Sequence, residues 1–256
     1  MRYLVLSDVH ANLPALEAVI SHAKKQGYDQ VIFLGDAVGY YPHAEEVVQR
    51  LIALDPAVRI LGNHDSALLE LVNGDRGDHW AAGVVMNVLE RQLVTLSGDS
   101  LRFLGALVPR HSQHGFEAAH GALAQQRDSL STVAAAQANV GLMTEKLLFV
   151  GHTHVPKVFA TVTKGPQELW RTVTFKESGG STYRLPPLAR TIANPGAVGQ
   201  PRDQIPLASY VIFDHGAGLL THHRVAYDVR SVQADVIAAR YPEVLASRLE
   251  AGRSAS

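Results

Sequence analysis

Seven side chains that can hold a cation recur in short groups far apart in the chain: Asp8 and His10, Asp36, Asn63, His120, and His152 with His154. Each group follows an apolar run, respectively Tyr3–Leu6, Val31–Leu34, Val58–Leu61, Phe116–Ala119 and Leu147–Val150. Runs of this length read as buried strands. If the backbone stays extended past the strand end, residues two apart point the same way, so Asp8 and His10 face one spot. His152 and His154 repeat that spacing. Two carboxylates, one amide and four imidazoles form a nitrogen–oxygen donor set suited to Mn2+, Fe2+, Co2+, Ni2+ or Zn2+, and imidazole disfavours Mg2+ or Ca2+ as the resident ion. One cation uses roughly four to six ligands, so seven groups suit two cations that share a carboxylate. Without a cation the carboxylates repel and the imidazoles lose hydration with no return. Two cations roughly 3.5–4 Å apart would grip one phosphoryl group and acidify a shared water molecule.

The segments between these runs must bring the groups together. Leu13–Gln26 has the apolar stripe of a surface helix (Leu16, Val19, Ile20, Ala23), with Asn12 placed to cap it, Pro14 in its first turn and Gly27 to end it. A second helix is expected over His43–Leu54, before Pro56, and a third from near Ser66. Alternating strands and helices predict a parallel α/β layer, in which ligands gather at the carboxyl ends of the strands. Asn73–Leu107 reads as helical with breaks at Gly74, Gly77, Gly83 and Gly98; Trp80 and Met86 are assigned to the core rather than to a flap over the site. Gln125–Val140 is expected to be partly helical, and Lys157–Phe175 to form a hairpin about Gly165-Pro166. Glu177–Pro187 reads as a mobile loop. Strands follow at Thr191–Ala193, Ser209–Phe213 and Leu219–Val225, then helix from about Asp228 and a frayed tail after Ala251. No repeat or long linker divides the chain, so one domain over 1–256 is expected.

Composition limits the partners. With 46% hydrophobic and 18% charged residues and a net charge of −1, the 256-residue chain is that of an ordinary globular protein without a global field for long nucleic acid or an anionic membrane. It has no cysteine, hence neither disulfides nor thiolate metal sites. No apolar stretch nears membrane-spanning length and no leader pattern precedes the first strand, so a cytoplasmic location is expected. Thirteen histidines are the unusual feature.

The blocks Asp8-x-His10, Gly35-Asp36, Gly62-Asn63-His64-Asp65, His120-Gly121 and Gly151-His152-Thr153-His154, in that order, resemble the five signature blocks of the calcineurin-like metallophosphoesterases. Asn194–Asp203 further resembles the small bacterial single-domain phosphodiesterase branch. The resemblance implies a four-layer α/β/β/α sandwich of two mixed sheets flanked by helices. It implies that Asp8, His10 and His154 hold one metal and Asn63, His120 and His152 the other, with Asp36 bridging, and that a hydroxide between the ions is the nucleophile. It assigns His64 to the phosphate and the leaving oxygen, and Asp65 to fixing the His64 tautomer. The departing alkoxide needs a proton, which suits an imidazole.

Arg202 is the first candidate for a phosphate contact and Asn12 the second; their structural alternatives are a hydrogen bond pinning the Asn194–Gly199 turn and the helix cap. Tyr40 and Tyr41 are assigned to packing rather than to stacking on a base. The remaining histidines, among them His22, His43, His79, His111, His114, His215, His222 and His223, are read as surface or packing residues.

The function expected is hydrolysis of a small phosphoester or nucleotide by two divalent ions, with Mn2+ favoured over Fe, Ni, Co or Zn. Phosphodiesters are preferred because no arginine cluster answers a dianionic monoester. A phosphomonoesterase, a nuclease and a catalytically inactive protein-binding scaffold are the alternatives. The His64 block argues against the scaffold and the neutral chain against a nuclease. A homo-oligomer is compatible with the sequence, the Lys157–Phe175 hairpin offering an edge.

Overall fold

In the computed structural model the described residues are 1–75, 83–125, 127–164, 167–176 and 180–253. In chain order they form β1 (Arg2–Leu6), α1 (Leu13–Gln26), β2 (Gln30–Phe33), α2 (Ala44–Leu54), β3 (Val58–Arg59), α3 (Asn63–Val72), α4 (Val84–Thr95), α5 (Gly98–Gly105), β4 (Arg110–Gln113), β5 (Phe116–Ala119), α6 (Val133–Val140), β6 (Leu147–Phe149), β7 (Lys157–Lys164), β8 (Gln167–Thr174), β9 (Ser181–Arg184), β10 (Thr191–Asn194), β11 (Ala208–Asp214), β12 (Leu219–Val225), α7 (Val229–Ala238) and α8 (Val244–Ala251).

The strands make two six-stranded sheets, in the orders β3-β2-β1-β11-β12-β9 and β4-β5-β6-β10-β7-β8. Both are mixed. In the first sheet β1, β2 and β3 run parallel while β11, β12 and β9 pair antiparallel. In the second, β5, β6 and β10 are parallel, with antiparallel partners at both sides.

The sandwich follows from alternation along strands buried on both faces. In β1, Tyr3 and Val5 enter the core between the sheets, where they meet Phe116, Phe149 and Phe213. Leu4 and Leu6 face the helices, packing with Leu16 and Val19 of α1 and Val47 and Leu51 of α2. Among the described residues α6 packs on the other outer face, through Ala136 against Leu148, Phe159 and Ile192, together with Leu130 and Met143 from the flanking segments. The expected α/β/β/α sandwich is thus present with unequal outer layers, and Leu169 on the edge strand β8 stays exposed.

Several boundaries differ from expectation. Helix α3 begins at Asn63 rather than near Ser66, Ser181–Arg184 within the expected Glu177–Pro187 loop is edge strand β9, and β4 carried no sequence signal. Met86 packs against the helical core as expected. Gly77, His79, Trp80, the Gly165-Pro166 turn and Glu177–Gly179 lie outside the described residues.

Strand β12 carries His222, fully buried and stacked on Phe175 at 4.9 Å. Burial, aided by Arg224 and His223, pushes its pKa down to about 3. The folded value lies below the unfolded one, so the unfolded chain binds more protons between them and stability falls as pH drops below about 6.5. His222→Phe keeps the stack and removes the titration. Its stability loss between pH 7.5 and pH 5, followed by urea denaturation, is expected to be smaller than that of the parent protein by about 2 kcal/mol; equal losses would contradict the assignment.

Candidate metal centre

The ligand candidates come from the carboxyl ends of β1, β2 and β3 in one sheet and of β5 and β6 in the other, so the cluster straddles the seam between the sheets. Extended backbone does not produce the convergence. Asp8, His10, Asp36, His152 and His154 all adopt left-handed backbone, with φ of 54°, 50°, 60°, 66° and 59°. Each such residue costs about 1–2 kcal/mol, and strain of this kind collects where geometry serves chemistry. The strands end first, and tight left-handed turns swing the side chains inward. Glycine permits the crowding: a Cβ at Gly62 would collide with the Asp36 carboxylate and backbone nitrogen, and one at Gly151 with Ser7 Oγ.

Hydrogen bonds aim the rings. Nδ1 of His10 faces the Val38 carbonyl at 2.9 Å, that of His120 the Leu34 carbonyl at 2.8 Å, and that of His154 the Gln200 carbonyl at 2.6 Å. A carbonyl only accepts, so each Nδ1 carries a proton and each ring turns its Nε2 inward, as a bare lone pair wherever the ring is neutral. The Nε2 atoms of His10 and His154 lie 3.1 Å apart. Asp8 Oδ2 accepts from Ser7 Oγ at 2.6 Å and His152 N at 3.1 Å, whereas its buried Oδ1 sits 3.2 Å from His154 Nε2. Asp36 Oδ1 accepts the His64 backbone N–H at 2.9 Å, in the first turn of α3, where a carboxylate is favoured. Its Oδ2 lies 3.5 Å from His10 Nε2 and 3.3 Å from His120 Nε2. Asn63 Oδ1 stands 2.9 Å from His120 Nε2 and 2.8 Å from His152 Nδ1.

Three overlapping groups have ligand atoms within 4.8 Å of one another: Asp8, His10 and His154; His10, Asp36 and His64; and Asp8, Asp36 and His120. All seven sequence-derived ligands therefore meet in one place, Asp36 joining the two halves. The donors fit divalent cations. Lone pairs directed at lone pairs beside two buried carboxylates are repulsive unless positive charge lies among them. Burial would raise Asp8 and Asp36, yet the imidazoles of His154 and His120 outweigh it and hold both below the usual carboxylate range. Burial would lower His120, but Asp36 and Asp8 push it up to about 10, so that without a metal ion a proton on its Nε2 supplies the positive charge beside the carboxylates. Burial holds His10, His152 and His154 below the ordinary histidine value.

The residues around the cluster take partly different roles from those expected. Asp65 does not orient the His64 ring: its carboxylate accepts the backbone N–H groups of Asp36 (2.8 Å), Ala37 (2.9 Å), Val38 (3.3 Å) and Gly62 (3.1 Å). It clamps the β2 loop to the start of α3, while burial and Asp36 push its pKa up to about 7. Asn12 is the cap of α1, accepting from Ala15 N at 3.2 Å and donating to the Gly199 carbonyl at 2.8 Å; fully buried, it has no face for substrate. Arg202 does not pin the Asn194–Gly199 turn with its side chain. Its guanidinium donates to Tyr40 Oη and Gln200 Oε1, both at 3.0 Å, beside the cluster. Tyr40 and Tyr41 are packing residues, the Tyr40 ring lying 4.5 Å from that of His10 and 4.7 Å from that of His64. His64 is buried, and burial lowers its pKa to about 4. Ser7 and Gln200, which steady Asp8 and Arg202, gave no signal in the sequence beyond lying beside a motif.

The profile of the calcineurin-like phosphoesterase superfamily domain matches residues 1–218. The chain belongs to this superfamily. Among curated proteins, this calcineurin-like phosphoesterase is 30% identical over 252 residues to an uncharacterized protein of Methanocaldococcus jannaschii, covering 97% of each. Among solved structures it superposes on a metallophosphoesterase from Sphaerobacter thermophilus with a TM-score of 0.83 at 34% identity, covering 98% of this chain and 99% of that one. A hypothetical protein of Pyrococcus horikoshii shares the fold, with a TM-score of 0.72 at 18% identity and coverage of 99% of both chains. As a calcineurin-like phosphoesterase the chain is a metal-dependent phosphoester hydrolase by family, with ligand groups in place. No described helix is long and apolar enough to cross a membrane.

Proposed function

We propose that the protein is a dinuclear metal-dependent phosphodiesterase acting on small phosphodiesters or nucleotides in the cytoplasm, as one domain built on the shared core between its sheets. The reading rests on one observation above others: the inward Nε2 atoms of His10, His120 and His154 surround the buried Asp8 and Asp36 carboxylates. Asp8, His10 and His154 would hold one ion, Asn63, His120 and His152 the other, and Asp36 both; Mn2+ is the favoured pair. Bound there, the two ions would polarise the phosphoryl group and lower the pKa of water to near neutrality. The protein side chains do the rest. Arg202 neutralises a phosphoryl oxygen, and a single guanidinium matches the single charge of a diester better than the double charge of a monoester. His64 donates to the leaving oxygen, and Asp65 keeps the loop carrying Asp36 in register with α3.

Protein loaded with Mn2+ is expected to hydrolyse bis(p-nitrophenyl) phosphate, and chelation to stop it. At metal concentrations about 100 times Kd each ion stabilises the fold by about 2.7 kcal/mol, lifting Tm by about 5–10 °C for a chain of this size. Melting that ignores chelation, together with no turnover, would overturn the proposal.

A further inference from the structure

We infer that the cavity beside the metal-ligand cluster is a second anion subsite, which binds a phosphate on the substrate other than the phosphoryl group that reacts. This rests on the phosphodiesterase reading. The cavity has a volume of about 350 Å3 and is bounded by His152, Arg202, Lys157, Ser129 and Ser131. That is the low end for small-ligand sites, enough for one charged group and the unit carrying it, and too little for a polymer.

His152 and Arg202 tie the cavity to the cluster, and Lys157 stands on its wall at the first residue of β7. The Lys157 ammonium donates to the Ser131 carbonyl at 3.1 Å and lies 5.5 Å from the centre of the Phe159 ring. These contacts place the charge without cancelling it. Arg202 is likewise held by neutral oxygens, those of Gln200 and Tyr40. Elsewhere Arg50, Arg59, Arg110, Arg127 and Arg224 each reach a carboxylate. Among the described residues neither Lys157 nor Arg202 does. Arg202, beside the cluster, serves the reacting phosphoryl group, whereas Lys157, with no carboxylate partner among the described residues, leaves the remaining wall of the cavity positive, and an anion there gains charge-assisted hydrogen bonds. The Ser129 and Ser131 hydroxyls, 3.4 Å apart, add neutral donors. Several donors around the Lys157 charge match the many oxygens of a phosphate. The substrate class is therefore a phosphodiester whose nucleoside or similar substituent carries its own phosphate.

The test compares thymidine 5′-(p-nitrophenyl phosphate) with the same ester bearing a 3′-phosphate, so that leaving group and reacting centre are constant. Binding of thymidine 5′-monophosphate and thymidine 3′,5′-bisphosphate to the Mn2+-loaded protein is measured in parallel by calorimetry. The extra phosphate is expected to raise kcat/KM and affinity about tenfold, the scale of one charge-assisted hydrogen bond. Lys157→Gln is expected to bring both ratios close to one and Lys157→Arg to retain them. Lys146→Gln, which removes a charge at the opposite end of β6, is expected to leave them as in the parent protein. Ratios near one in the parent, or a preference that survives Lys157→Gln, would overturn the subsite. If neither ester is cleaved but the affinity difference is present and vanishes in Lys157→Gln, the phosphodiesterase reading fails and the subsite stands.

Discussion

Asparagine at position 36 is expected to lower kcat/KM on a phosphodiester by on the order of 10³-fold, about 4 kcal/mol of transition-state stabilisation, while leaving the metal-free fold at least as stable. The amide keeps an oxygen for the His64 backbone N–H, which now sits 2.9 Å from Asp36 Oδ1. It replaces the other oxygen, 3.5 Å from His10 Nε2 and 3.3 Å from His120 Nε2, with an N–H donor. That donor can satisfy an imidazole lone pair, and the change removes a negative charge next to Asp8. The metal-free centre therefore becomes less repulsive as it loses the shared ligand. Melting curves with and without Mn2+ should show an unchanged or higher metal-free Tm and a much smaller metal-induced rise. If the rise stayed as large as in the parent and turnover fell by less than about tenfold, Asp36 would not be the shared ligand.

His64→Ala should separate substrates by their leaving group. The ring is held within the cluster, 4.7 Å from the rings of both His10 and Tyr40, and its own backbone anchors Asp36. A proton or hydrogen bond delivered there matters when a basic alkoxide departs and matters little for a nitrophenolate. The expected loss is on the order of 10²–10⁴ in kcat for an alkyl ester and less than about tenfold for a nitrophenyl ester. Because the substitution keeps the backbone N–H on Asp36, metal-induced stabilisation should persist. Equal losses on both esters would assign His64 to positioning of the centre rather than to the leaving oxygen.

The sequence carried the frame of the site further than its fine geometry. Tyr3–Leu6 and Val31–Leu34 read as strands because both faces of each are buried, and such runs are continuous in apolar residues. The seven candidate ligands were legible as a set too, since carboxylate, amide and imidazole types recur at strand ends and the fold brings them together. How they converge was not. Alternation along an extended backbone was the natural reading of Asp8-x-His10, yet left-handed turns bring the side chains together; aspartate and histidine are enriched at positive φ, but that preference does not say which of them adopt it. Asp65 illustrates the same limit. Its four backbone partners include three residues 27 to 29 positions away, contacts that only tertiary structure creates. Asn12 shows the converse, a local cap signal that was correct and left no room for a contact with substrate. Strand β9 was missed because Ser181–Arg184 is stabilised through its pairing with β12 rather than by its own composition.

The seam location of the cluster bears on how the chain acquires its native state. Asp8, His10, Asp36 and Asn63 follow strands of one sheet, and His120, His152 and His154 follow strands of the other. Neither half presents a full coordination sphere until the two sheets have docked, so metal cannot template the early collapse of either. Stabilisation by metal ions held there would arrive only once the sheets have docked, and would fall on unfolding. Ions bound there would slow unfolding far more than they would speed refolding, making metal supply a determinant of how long each folded molecule lasts.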